Sequence, residues 1–127
     1  MKPLQRILHV EDDTDIQEVA KLAFEMFSEF EVLQCSKGSD ALNAAADFEP
    51  DLFLLDVMMP DQTGIELLQA FRISDEGRDV PAIFMTAKVN QDDLDLYYEA
   101  GAIGVIEKPF DVMNLCNSIT EIWTTRA

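Results

Sequence analysis

The chain has 127 residues, which suits one domain and is long enough to bury a core without disulfides or metal staples. Lys and Arg total 9 against 25 Asp and Glu, a net charge of −16 that repels phosphate backbones and anionic lipid and so argues against binding to nucleic acid or a membrane surface. The two cysteines, Cys35 and Cys116, form no C-x-x-C pair and no disulfide framework, and both read as small buried hydrophobes.

Met1-Lys2-Pro3-Leu4 lacks the apolar stretch of a signal peptide, and no apolar run reaches membrane-spanning length, so a cytoplasmic location is expected. Ile7-Leu8-His9-Val10 reads as a first buried strand and leads straight to Glu11 and Asp12. His9, in the middle of an apolar run, is expected as a satisfied buried or edge histidine rather than a phosphohistidine. Thr14-x-x-Gln17 reads as a capping box, after which Ile16, Val19, Ala20 and Ala23 recur at helical spacing. Glu31 to Cys35 is a shorter, mixed strand that suits a sheet edge, and Ser39 to Asp47 is alanine-rich and helical. Pro50-Asp51 breaks the chain before Leu52-Phe53-Leu54-Leu55, a strand that ends on Asp56.

Thr63-x-x-Glu66 is a second capping box, opening a helix with Leu67, Leu68 and Phe71 inward. Glu76-Gly77 ends that region, and Pro81 precedes Ala82-Ile83-Phe84-Met85, a strand that ends on Thr86. Leu94, Tyr97, Tyr98 and Gly101 mark one face of a fourth helix, with Asp92, Asp93 and Asp95 on its solvated N-terminal side. Ile103-Gly104-Val105-Ile106 forms the last strand, with Lys108 just beyond it. Asp111 is placed to cap a final helix with the stripe Val112, Leu115, Cys116, Ile119, Ile122 and Trp123.

Strands and helices thus alternate five times, which demands parallel strands joined by right-handed crossovers. In open parallel sheets ligands bind at the carboxyl ends of the strands. With strand order 2-1-3-4-5, Glu11 and Asp12 lie beside Asp56 at the switch point, and Thr86 and Lys108 follow along the same rim. A Rossmann-type order would gather these residues less well, so the constellation favours the flavodoxin-like order, with the whole chain, 1–127, as one domain.

Three carboxylates in one cleft repel one another. Lys108 offsets one charge, and a divalent cation would offset the other two. Oxygen ligands without His or Cys select Mg²⁺, Mn²⁺ or Ca²⁺ over zinc, and the D-x-D-x-D-G loop of a calcium cage is missing. An Asp beside a metal and a lysine is placed to attack phosphorus as a covalent nucleophile.

Glu11-Asp12, Asp56-Val57-Met58-Met59-Pro60 with Gly64, Thr86-Ala87 and Lys108-Pro109-Phe110 together resemble the receiver domain of bacterial response regulators, from about Arg6 to about Trp123. The resemblance implies a flavodoxin-like (CheY-like) doubly wound five-stranded parallel sheet with five helices. It implies that Asp56 is the phosphoacceptor, and that Glu11, Asp12, Asp56 and the backbone carbonyl of Met58 hold Mg²⁺, with Mn²⁺ as a substitute. Asp12 is expected to touch the metal directly and Glu11 through water. Thr86 would bond the phosphoryl group and shift on activation, Lys108 would pair with it, and the Lys108-Pro109 bond would be cis. Met58 and Lys88 stand where the family tunes hydrolysis of the acyl phosphate. The donor would be a histidine kinase or a histidine phosphotransfer protein. An output protein would meet the face made by helix 4, strand 5 and helix 5, and the resemblance allows a homodimer on phosphorylation.

One departure stands out. The family usually carries Tyr or Phe three residues before the lysine, where this chain has Val105, which is too small and too stiff to serve as that aromatic switch. The protein is expected to be an acceptor that gains and loses its phosphoryl group rather than a turnover enzyme. The main alternative is a receiver fold that binds partners without phosphorylation. An aspartyl phosphatase of the haloacid-dehalogenase type would want an acid at position 58, which is Met, and a flavin carrier would be repelled by the acids after the first strand.

Overall fold

The structure, a computed structural model, describes residues 2–126. Its elements are β1 (Arg6–Val10), α1 (Thr14–Phe27), β2 (Glu31–Cys35), α2 (Gly38–Phe48), β3 (Leu52–Asp56), α3 (Gly64–Arg72), β4 (Ala82–Thr86), α4 (Gln91–Glu99), β5 (Gly104–Glu107) and α5 (Leu115–Thr125). The five strands make one parallel sheet in the order β2-β1-β3-β4-β5, the flavodoxin-like arrangement expected.

The sheet is central because its strands are apolar on both faces. Leu52, Phe53, Leu54 and Leu55 of β3 are all fully buried. Each such side chain contributes about 1.5–3 kcal/mol, which secures β3 in the middle. Leu8, Phe53, Leu55 and Phe84 face α2, α3 and α4, where Phe53 stacks on Phe71 with ring centroids 3.9 Å apart. Ile7, Leu54, Ile83 and Met85 face α1 and α5, meeting Phe24, Cys116, Ile119 and Trp123. Cys35 and Cys116 are both free and buried, as expected. β2 is the half-exposed edge, though it pairs with β1 along its whole length and is no shorter.

Three local expectations need correction. The capping box at Thr14 and Gln17 does not form: Asp13 caps α1, its side chain accepting from the backbone of Asp15 and Ile16. Asp is the stronger cap, and Gln17 is engaged elsewhere. Asp111 does not open α5 directly. It accepts from the Met113 amide and from Asn114 Nδ2, a turn that carries the chain to the first helical residue, Leu115. Val112 therefore packs on the core from the turn, not from the helix. On α4 only Tyr97 is buried; Tyr98 is half exposed, and Gly101 lies past the helix end at a φ of 109° that favours glycine.

Candidate functional site

The site lies along the carboxyl rim of β1, β3, β4 and β5. Neighbouring strand ends are laced together there: the Val57 amide donates to the Met85 carbonyl at 3.1 Å and the Lys108 amide to the Thr86 carbonyl at 2.9 Å. α3 begins hard against the Asp56 backbone, where a Cβ on Gly64 would come 2.5 Å from the Asp56 carbonyl oxygen. Glycine at 64 is thus a steric requirement of the loop that carries Asp56.

Glu11, Asp12 and Asp56 each offer a carboxylate oxygen within 4.8 Å of the others. Lys108 reaches into this cluster, its Nζ 2.7 Å from Glu11 Oε1 and 2.9 Å from Asp56 Oδ1. The Met58 amide also donates to Asp56 Oδ1, at 3.3 Å, while the Met58 side chain points largely to solvent. Glu11 and Asp56 are buried, and Asp12 is the most open of the three acids.

The electrostatics follow from too many acids for one ammonium. Burial, with Asp56 adding to it, pushes Glu11 up to about 7 despite Lys108. Burial and Asp56 also raise Asp12. Burial pulls the Lys108 ammonium down, but its bonds to Asp56 and Glu11 outweigh this and hold it above the usual lysine range. A hard divalent cation fits this donor set: three carboxylate oxygens, no soft ligand, and a surplus of negative charge.

Thr86 is buried at the end of β4, its Oγ1 accepting from the Lys88 amide at 3.0 Å. The Lys88 side chain is exposed, Val105 is half buried against the α4-side core, and the Lys108-Pro109 bond is cis. His9 is buried as expected, but only half satisfied. Nδ1 pairs with Gln34 Nε2 at 3.1 Å, whereas Nε2 has no partner among the described residues, and burial lowers its pKa to about 4.

Two residues that the sequence placed only as helix positions touch the site. Gln17 donates to the Glu11 carbonyl and to Ser36 Oγ, tying the loop that holds the acids to the one after β2. Tyr97 places its hydroxyl 3.4 Å from Thr86 Oγ1. The available signal was its inward position on α4, since a buried tyrosine hydroxyl needs a partner.

Residues 7–120 match the family model described as the response regulator receiver domain. The DNA-binding response regulator MtrA of Mycolicibacterium smegmatis is 38% identical over 106 residues, covering 84% of this chain and 45% of that protein. The phosphate regulon transcriptional regulatory protein PhoB of Pseudomonas aeruginosa is 37% identical over 109 residues, covering 86% of this chain and 47% of the relative. The chain thus spans about half the length of these curated relatives. Among solved structures, the chemotaxis response regulator CheY4 of Vibrio cholerae shares the fold with a TM-score of 0.85, at 24% identity over 94% of this chain and 99% of that one.

Proposed function

The chain belongs to the response regulator receiver family, and from that premise we propose that Asp56 accepts a phosphoryl group from a phosphohistidine on a histidine kinase or histidine phosphotransfer protein. The observation that carries the reading is Asp56 itself: a buried carboxylate at a strand end, beside two further acids and bonded to Lys108. Its Oδ1 takes both Lys108 and the Met58 amide, which leaves Oδ2 to attack. The O–P bond forms as the P–N bond to the donor imidazole breaks, and water later returns phosphate and the free carboxylate.

Glu11, Asp12, Asp56 and the Met58 carbonyl would hold Mg²⁺ or Mn²⁺, which when bound offsets carboxylate charge and charge growing on the phosphoryl oxygens. Lys108 would exchange its carboxylate partners for a phosphoryl oxygen, and Thr86 would donate its hydroxyl proton to another. Met58 and Lys88, at the mouth, would set how easily water enters. The protein acts by changing a surface rather than by turning over substrate.

We place the output on the face formed by α4, β5 and α5, with pairing of two phosphorylated copies as one use of it. Residues 1–127 would act as a single receiver unit in the cytoplasm; no described helix is long and apolar enough to cross a membrane. DNA binding, named for MtrA, is assigned to no residue of this acidic chain. The test is intact mass after incubation with acetyl phosphate and Mg²⁺. A gain of one phosphoryl group is expected in wild type and none in Asp56→Asn. Equal labelling of both would remove Asp56 from its role, and no labelling of either would favour partner binding without phosphorylation.

A further inference from the structure

The Thr86 hydroxyl has one proton, and the structure offers it a partner away from the carboxylates. Tyr97 of α4 lies flat in the core, 4% exposed, edge-on to Phe84 with centroids 5.7 Å apart and planes at 67°. Its hydroxyl donates to the Lys88 carbonyl at 3.0 Å, which uses the only proton a phenol has. Toward Thr86 Oγ1, at 3.4 Å, Tyr97 can therefore only accept. Thr86 Oγ1 already accepts from the Lys88 amide, and among the described residues Tyr97 Oη is the one acceptor within reach of its proton. Val105, packed in the same cluster, has no side-chain polar atom with which to do this.

We propose that Tyr97 is a positioning residue: in the resting protein it holds the Thr86 proton away from Asp56, and phosphorylation withdraws that proton and so disturbs α4. This rests on the phosphoacceptor reading of Asp56. Two acceptors, Tyr97 Oη and a phosphoryl oxygen, compete for one proton, so each bond excludes the other. When Thr86 turns to the phosphoryl group, a buried phenolic oxygen loses its donor. The loss falls on the helix that carries it, and on the Lys88 carbonyl to which the same hydroxyl is bonded. The arrangement links the site to α4 without any movement of residue 105.

The sign of the effect is fixed by the competition. The Thr86–Tyr97 bond exists only in the resting state, so removing it favours the phosphorylated state. Tyr97→Phe keeps the ring against Phe84 and deletes only the hydroxyl. Beryllofluoride with Mg²⁺, followed by fluorine NMR, is the probe on the full chain in four forms: wild type, Tyr97→Phe, Thr86→Ala and the double variant. Tyr97→Phe is expected to bind about threefold to tenfold tighter than wild type. In the Thr86→Ala background the same change should have no effect, because no proton is left to compete for. Amide shifts of α4 on binding should shrink in Tyr97→Phe. Equal affinity of wild type and Tyr97→Phe, or the same change in both backgrounds, would overturn the proposal, since a purely structural role acts regardless of Thr86. Failure of wild type to take the probe, or equal uptake by Asp56→Asn, would overturn the reading of Asp56 and the proposal with it.

Discussion

Asp51 and Asp56 stand at opposite ends of the same central strand, both buried, and they do opposite things. Asp51 is over-supplied with donors. Its Oδ2 takes the amides of Gln5 at 3.0 Å and Arg6 at 2.8 Å, and Oδ1 takes Lys2 Nζ at 2.7 Å. Burial pushes Asp51 up, but Lys2 and the two amides outweigh it and hold the carboxyl below its ordinary value. At the other end three carboxylates share one ammonium, and Glu11 is driven up to about 7. A carboxylate with its donors in place ties the chain together. A cluster short of positive charge is ready to take a cation and to react.

The contrast is sharpest in the largest expected effect. Asp56→Asn should abolish phosphoryl gain by intact mass, whereas Asp51→Asn should label like wild type. Loss of labelling in both would mean that the two ends are not separable. Next, Asp51→Ala should cost about 2–4 kcal/mol in urea unfolding, because two amides lose their partner at once. Asp56→Asn without metal should cost little or even stabilise, since it relieves a surplus of charge. An equal loss at the two ends would break the comparison.

Mg²⁺ should then separate them further. At a hundredfold excess over its dissociation constant it should stabilise wild type by about 2.7 kcal/mol. Asp51→Ala should keep that increment, and Asp12→Ala and Asp56→Asn should lose most of it, as read from urea midpoints.

The smallest effect is the pH dependence of the metal-free wild type, because two buried groups oppose each other. Glu11 is raised to about 7 in the fold from an ordinary 4.5, so its contribution is intact below 4.5 and is lost as pH rises through 7. His9 is lowered to about 4 from an ordinary 6.5, so its contribution is intact above 6.5 and is lost as pH falls through 4. Between pH 4.5 and 6.5 the two slopes are equal and opposite, so the net change should be close to zero. Glu11→Gln removes one side of the balance, and its stability should rise with pH over that span. A falling urea midpoint for Glu11→Gln would show that Glu11 is not the group held protonated.

The fold and the rim were already visible in the linear chain, whereas the donors of Asp51 were not. Runs such as Leu52 to Leu55, apolar at every position, short and set off by Pro50, favour strands covered on both faces. Such runs, with the mixed edge strand Glu31 to Cys35, alternate with amphipathic helices and leave few topologies. The strand ends then bring Glu11, Asp12, Asp56, Thr86 and Lys108 to one rim. Thr63 and Glu66 form the capping box their spacing predicts, because both partners lie within one turn.

What failed was whatever depended on competition between nearby partners. Thr14 and Gln17 match a capping box, but Asp13 is a better cap, and Gln17 reaches a carbonyl and a hydroxyl from two other loops. Asp111 opens a turn instead of a helix.

The sequence by itself determined the strand and helix order, the sheet arrangement and the set of residues on the rim, because periodicity and chain order carry that information. Only the tertiary structure decided which donor each acid receives, and that the hydroxyls of Thr86 and Tyr97 lie within reach of each other and of the Lys88 backbone. Those are matters of a few tenths of an ångström between side chains distant in sequence, and no local pattern encodes them.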